Sequence, residues 1–120
     1  LVGQYRYATR EYSWELIEGG ADAEETPLEA AKRELREEAG LVAASWQQLG
    51  AEVHLTNCIS SEAGYFFLAQ GLTRVPRAPE GTEVLELKSV PFSEALQLVH
   101  SGAIKDAMTV IGLLRAEKAL

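Results

Sequence analysis

Glu34, Glu37 and Glu38 carry the strongest chemical signal in this chain. On a helix, residues three and four apart share one arc, so the three carboxylates would crowd together. The Glu34–Glu38 like-charge pair disfavours a helix by about 0.2–0.5 kcal/mol, and Glu37 adds to the same field. Solvent can absorb that repulsion, as on any acidic helix face. A hard divalent cation such as Mg²⁺ would instead convert it into ligation, keeping room for water and phosphate oxygens. Lys32, Arg33 and Arg36 fall on the other flank, so the charges are segregated, with Arg33 to Glu37 an ordinary supporting pair four residues apart.

The sequence supplies both ends of the helix that would carry these groups. Thr26 is a good N-cap, Pro27 fits the first helical position, and Glu29 completes a capping box. Gly40 is placed to close the helix in the left-handed conformation. These signals predict a helix over Pro27–Ala39 with Leu28, Ala31, Leu35 and Ala39 toward a core. Just upstream, Trp14-Glu15-Leu16-Ile17 reads as a strand running into Gly19-Gly20, where the backbone can turn sharply and approach a ligand closely.

Gly19, five residues, Glu25, seven residues, then Arg33-Glu34-Leu35, Glu37-Glu38 and Gly40-Leu41 resembles the signature of the Nudix hydrolases at every fixed position. The resemblance implies an α/β (α+β) fold: an α/β/α sandwich with a mixed sheet, on which the box helix and C-terminal helices pack. It implies Glu34 and Glu38 as principal metal ligands, with Glu37 as a ligand or as a base acting through water. The backbone carbonyl of Glu18 would join the metal, Mg²⁺ or Mn²⁺. Arg33 would orient a ligating glutamate, and Glu25 would support the turn or complete the metal shell.

Gln4-Tyr5-Arg6 and Trp14-Glu15-Leu16 resemble the ADP-ribose pyrophosphatase branch of that family. The likeness implies that Arg6, Glu15 and the Gly20 turn lie beside the substrate. It also implies that Glu83, with Glu80 as the alternative, closes over the site as an extra ligand or general base. Tyr5 and Trp14 have two readings, stacking on a base or packing. The segment Ser101 to Val110 resembles the C-terminal part of the same branch, where its role is packing. Homodimers are common in that branch, with an N-terminal segment building the base pocket. Much of the branch has a proline where Leu55-Thr56-Asn57 stands here, which leaves other nucleotide sugars, dinucleotides and damaged nucleotides open as substrates. A Nudix module that binds nucleotide without cleaving it is the competing class.

Bulk properties are consistent with this chemistry. A chain of 120 residues, 47% hydrophobic and 24% charged, suits one domain spanning 1–120. It opens inside a strand without methionine, so further residues upstream are expected. A net charge of −7 argues against nonspecific nucleic-acid binding and requires local cations for a polyanionic substrate. No stretch reads as a membrane span or signal peptide, and the single Cys58 excludes an internal disulfide framework, so a cytoplasmic setting is expected.

The remaining elements follow from pattern. Strands are predicted over Leu1 to Ala8, Gly50 to Leu55, Tyr65 to Ala69 (buried on both faces) and Val84 to Val90. Thr9 to Ser13, Thr56 to Ser61 and Leu72 to Gly81 read as connections. Ser93 is the expected cap of one helix. Ile104 to Ala119 forms the last, with Ile104, Ala107, Met108, Ile111 and Leu114 inward. His54 has no partner at metal-ligand spacing and is read as structural, and Cys58 has no catalytic partner.

Overall fold

The computed structural model describes residues 1–77 and 85–120. Its elements in chain order are β1 (Val2–Arg6), β2 (Glu11–Glu15), α1 (Pro27–Ala39), β3 (Leu41–Gln48), β4 (Val53–His54), β5 (Ala63–Gly64), β6 (Phe67–Arg74), β7 (Glu86–Leu87), α2 (Phe92–His100) and α3 (Ala107–Ala119). This is the expected α+β combination of sheets and helices. Among the described residues β2-β1-β7, β3-β6 and β4-β5 form separate groups, and their pairings are antiparallel. The parallel pairing that a mixed sheet requires is not among them.

The box helix forms as its caps dictate. Thr26 Oγ1 accepts from the Glu29 amide at 3.2 Å, Pro27 occupies the first turn, and Gly40 closes the helix at φ 63°. Ala30 and Leu35 are buried, and Leu28, Ala31 and Ala39 are half-buried. Gly40 is also hemmed in, since a Cβ there would sit 2.8 Å from the Val75 carbonyl oxygen. Gly40→Ala should therefore destabilise the fold by at least about 1–2 kcal/mol, the cost of a left-handed non-glycine residue alone. Urea melts of the two proteins check this; equal midpoints would contradict it.

Several expectations are corrected. Thr9 to Ser13 is not all connection: the turn ends at Arg10, and Glu11–Glu15 pairs back on β1 with Tyr5 opposite Tyr12 and Gly3 opposite Trp14. Side-chain packing decides this, because the rings of Tyr12 and Trp14 lie across Gly3, whose missing Cβ makes the room. Leu41–Gln48 is a full strand rather than a lead-in, and the strand beyond it shrinks to Val53–His54. The Tyr65 to Ala69 strand is displaced to Phe67–Arg74, half-buried at first and then exposed, with Phe66 the buried residue. It pairs with β3 from Leu41↔Arg74 to Gln48↔Phe67, which draws Leu72 to Arg74 out of the expected loop. Among the described residues the strand expected over Val84 to Val90 is limited to β7, and Val84 lies outside them.

Two core clusters meet on α3. Leu49, Phe66 and Ala116 form one, and Ala95, Ile104 and Leu113 the other. The fully buried stripe of α3 is Thr109, Gly112, Leu113 and Ala116; of the residues predicted inward, Met108 and Ile111 are half-buried against the first cluster, while Ala107 and Leu114 are exposed. Asp106 caps this helix, accepting from the Thr109 amide, so Ile104 precedes it. The other late helix starts after Pro91 with no side-chain cap, and Ser93 lies inside it.

Candidate functional site

Arg33 is the hub between the glycine turn and the acidic face of α1. Its guanidinium makes five hydrogen bonds: to Glu25 Oε2 at 2.8 Å and Oε1 at 2.9 Å, to the Gly20 carbonyl at 3.0 Å, to Glu34 Oε1 at 2.9 Å and to Glu37 Oε2 at 3.2 Å. A planar fork is needed to reach so many acceptors at once. The Arg33 bonds, with the Asp22 amide as a second donor, hold Glu25 down to about 2, and the bond to Glu25 in turn raises Arg33. The turn is thereby fixed to the helix at two points.

Gly19 supplies the closest approach. A Cβ there would overlap Cδ, Oε1 and Cγ of Glu34, so the turn backbone lies directly against that carboxylate. Gly20 faces open space and contributes its carbonyl to Arg33. Neither glycine has positive φ, so contact rather than backbone conformation explains Gly19. Beside this turn opens a cleft of about 910 Å³ with Arg6, Glu18, Gly19, Gly20 and Glu34 on its wall.

The structure divides the sequence-predicted residues into two groups. Glu34 and Glu37 meet on Arg33, and Glu38 is half-buried one turn beyond Glu34. The Glu18 side chain does not join them. It lies with Glu15 and Asp106, the three carboxylates having oxygens within 4.8 Å of one another. Arg6 sits over this second group, bonding Glu15 through Nε at 2.9 Å and Nη2 at 2.5 Å. Glu15 is only 3% exposed and Arg6 45%, so the arginine is the solvent-facing partner. Tyr5 and Tyr12 are half exposed on the opposite face of the hairpin, away from Arg6 and Glu15. Glu80 and Glu83 lie outside the described residues.

Burial pushes Glu18 up to about 8, and neighbouring Asp106 adds to the push, while the Thr109 hydroxyl opposes it. Burial would raise Asp106 as well, but bonds from Glu18 and Thr109 outweigh it and leave Asp106 below its ordinary value. Folded Glu18 thus holds a proton that the unfolded chain, at about 4.5, has lost. The folded state binds more protons between these values, so stability is retained below about 4.5 and falls as pH rises through about 8. Urea melts of metal-free protein at about pH 5 and about pH 9 should show this fall, and Glu18→Gln should flatten it. A drop of the same size in the variant would assign it to another group.

Thr109 is the residue that sequence reasoning missed. It is 0% exposed, accepts from the Leu16 amide at 3.1 Å, and reaches Glu18 Oε1 at 3.1 Å and Asp106 Oδ2 at 2.7 Å. An available signal was Asp106, an N-cap residue type whose carboxylate accepts from the amide three residues on, that of Thr109. A hydrophobic-periodicity reading passes over a buried threonine.

Comparison with known proteins bears on the family and the fold. Residues 1–109 match the model of the NUDIX domain. An ADP-ribose pyrophosphatase of Mycobacterium tuberculosis is 36% identical over 117 residues, covering 95% of this chain and 56% of the relative. A CMP-5'-(N-acetyl-N-hydroxy-3-aminopropyl)phosphonate hydrolase of Streptomyces rubellomurinus is 32% identical over 114 residues, covering 95% and 55%. The chain therefore spans little more than half the length of these relatives. The crystal structure of an ADP compounds hydrolase superposes with a TM-score of 0.88 at 24% identity, covering 99% of this chain and 64% of that one, a likeness of fold. No helix among the described residues is long and apolar enough to cross a membrane. With Gly20, Glu25, Glu34 and Glu37 joined through Arg33 at one turn and the family model spanning residues 1–109, this protein belongs to the Nudix family.

Proposed function

We propose that this chain is the catalytic domain of a Mg²⁺-dependent hydrolase that cleaves ADP-ribose to AMP and ribose 5-phosphate. The observation that supports this most is the packing of the glycine turn against Glu34 while Arg33 gathers Glu34 and Glu37. Two carboxylates that share one guanidinium nitrogen can share one metal ion, so the residues fit a hard cation, with Mn²⁺ as a substitute for Mg²⁺. Glu34, Glu37 and Glu38 would hold it, with the Glu18 carbonyl beside them. When bound, the cation supplies polarisation of the phosphoryl oxygens and a lowered pKa for water.

The chain's own groups do the rest. Arg33 keeps Glu34 and Glu37 oriented, and Glu25 keeps Arg33 in place. Arg6, anchored by Glu15 at the cleft wall, offers its free edge to the diphosphate. A base, Glu37 or Glu83 with Glu80 in reserve, takes a proton from the attacking water. The new P–O bond forms as the bridging P–O bond breaks, and the leaving phosphate keeps the bridging oxygen. The reading includes a cytoplasmic homodimer acting on a small nucleotide, without nucleic acid or membrane. A light-scattering mass of one chain would remove the dimer.

A second substrate reading comes from the relative named for a CMP-linked phosphonate, since two relatives of similar identity are named for substrates with different nucleotides. Full-length protein with Mg²⁺ should be given ADP-ribose, other nucleotide sugars, CMP conjugates, dinucleoside polyphosphates and oxidised nucleotides, with monophosphate release followed. ADP-ribose should be turned over best. Preference for another conjugate would transfer the assignment to it, and binding without turnover across the panel would replace the enzyme with a nucleotide sensor.

A further inference from the structure

We infer that Thr109 and Asp106, at the head of α3, are positioning residues that fix the Leu16 to Glu18 segment and through it the glycine turn of the hydrolytic centre. This rests on the hydrolase reading above and adds residues that lie outside the box helix.

The geometry is a clamp on Leu16. The Thr109 hydroxyl, fully buried, accepts from the Leu16 amide at 3.1 Å. Its single proton has two acceptors in range, Asp106 Oδ2 at 2.7 Å and Glu18 Oε1 at 3.1 Å. Asp106 Oδ2 also accepts from the Thr109 amide at 3.0 Å, so one carboxylate oxygen caps the helix and sets the threonine rotamer. One turn later Gly112 presses from the same face, where a Cβ would lie 2.5 Å from Leu16 Cδ1. Leu16 is therefore held by its amide and by its side chain.

A helix cap alone needs neither a buried threonine nor a bond to a segment more than ninety residues away. The connection acquires a use three residues on from Leu16, at Gly19, which has no spare room against Glu34. Three residues of extended chain reach about 10 Å, too short to absorb a shift at Leu16 without moving the turn. The turn in turn sets Glu34 by contact and Arg33 through the Gly20 carbonyl. Packing at the C-terminal segment thus becomes alignment of the carboxylates.

The test uses the full chain and the variants Thr109→Val, which keeps the shape and loses the hydroxyl, and Thr109→Ser, which keeps the hydroxyl. Three quantities are read: kcat and KM for ADP-ribose with Mg²⁺, Mn²⁺ affinity by electron paramagnetic resonance without substrate, and amide exchange of Leu16 in metal-free protein. Thr109→Val should lower kcat and Mn²⁺ affinity about 10–100-fold, the range found when a residue supporting metal ligands is lost. Exchange at Leu16 should accelerate, and Thr109→Ser should restore most of all three. A Thr109→Val protein with a lower melting temperature but unchanged kcat and Mn²⁺ affinity would overturn the inference. If that variant does not fold, Asp106→Ser, which retains a cap but withdraws the carboxylate oxygen from the threonine, should show the same direction of loss, and unchanged values would overturn the inference equally. Wild-type protein that neither binds Mn²⁺ nor turns over any substrate would overturn the hydrolase reading and this inference together.

Discussion

Gly19→Ala is expected to remove most turnover while leaving the fold standing. The added methyl would occupy the place of the Glu34 carboxylate, and all three of its nearest neighbours belong to that one side chain. A carboxylate at the end of a flexible chain gives way more easily than backbone, so Glu34 swings aside and the turn stays. Gly19 does not need positive φ, so alanine brings no backbone penalty. The cost falls on alignment, where a displacement of about 1 Å can reduce rate about 10²-fold. kcat should fall by about that factor or more, with the circular dichroism spectrum retained. Activity within a few-fold of wild type would show that Glu34 is not where the chemistry requires it.

Arg33 is expected to give the second large effect. Arg33→Ala removes the partner of Glu25, Glu34, Glu37 and the Gly20 carbonyl together, leaving three carboxylates without the cation they share. Turnover should fall about 10–100-fold or more, as when a group supporting metal ligands is lost, and the thermal midpoint should drop. Lysine is the informative comparison, because it keeps the positive charge without the planar fork. Arg33→Lys should recover stability better than activity, since a single ammonium cannot hold Glu25 and the glutamates of α1 in their present geometry. Full recovery by lysine would reduce the role of Arg33 to its charge.

These two variants also mark what was legible in the sequence. The box helix could be read to its ends because its signals are local: Thr26, Pro27, Glu29 and Gly40 each act within a turn of their own position. The link from Arg33 to Glu37 is of the same kind, four residues along one helix. For Glu25 the resemblance implies support of the turn or a place in the metal shell; its bidentate bond to Arg33 depends on how the intervening turn folds.

What escaped was set by distant partners. Leu41–Gln48 became a strand because it lies along Phe67–Arg74, and no alternation within Val42 to Gln48 announces this. Tyr12 was drawn into β2 by room above Gly3 and by its bond to Glu86 at 2.7 Å, both tertiary facts. Glu18 showed the reverse difficulty. Its backbone was assigned from the family pattern, while its side chain turned to Asp106 and Thr109, residues from the other end of the chain. A buried threonine and a glycine in the inward stripe of α3 break the apolar pattern that would have located that stripe.

The central claim, that the acidic face of α1 forms a metal-dependent hydrolytic centre, is tested most directly by following ADP-ribose with ³¹P NMR in the full-length protein. Wild type and Glu34→Gln would be compared, each with Mg²⁺ and with chelator. The diphosphate resonances of wild type with Mg²⁺ should be replaced by those of AMP and ribose 5-phosphate, while chelator or Glu34→Gln should leave them in place. Hydrolysis that continues at the wild-type rate in chelator, or in Glu34→Gln with Mg²⁺, would contradict the claim.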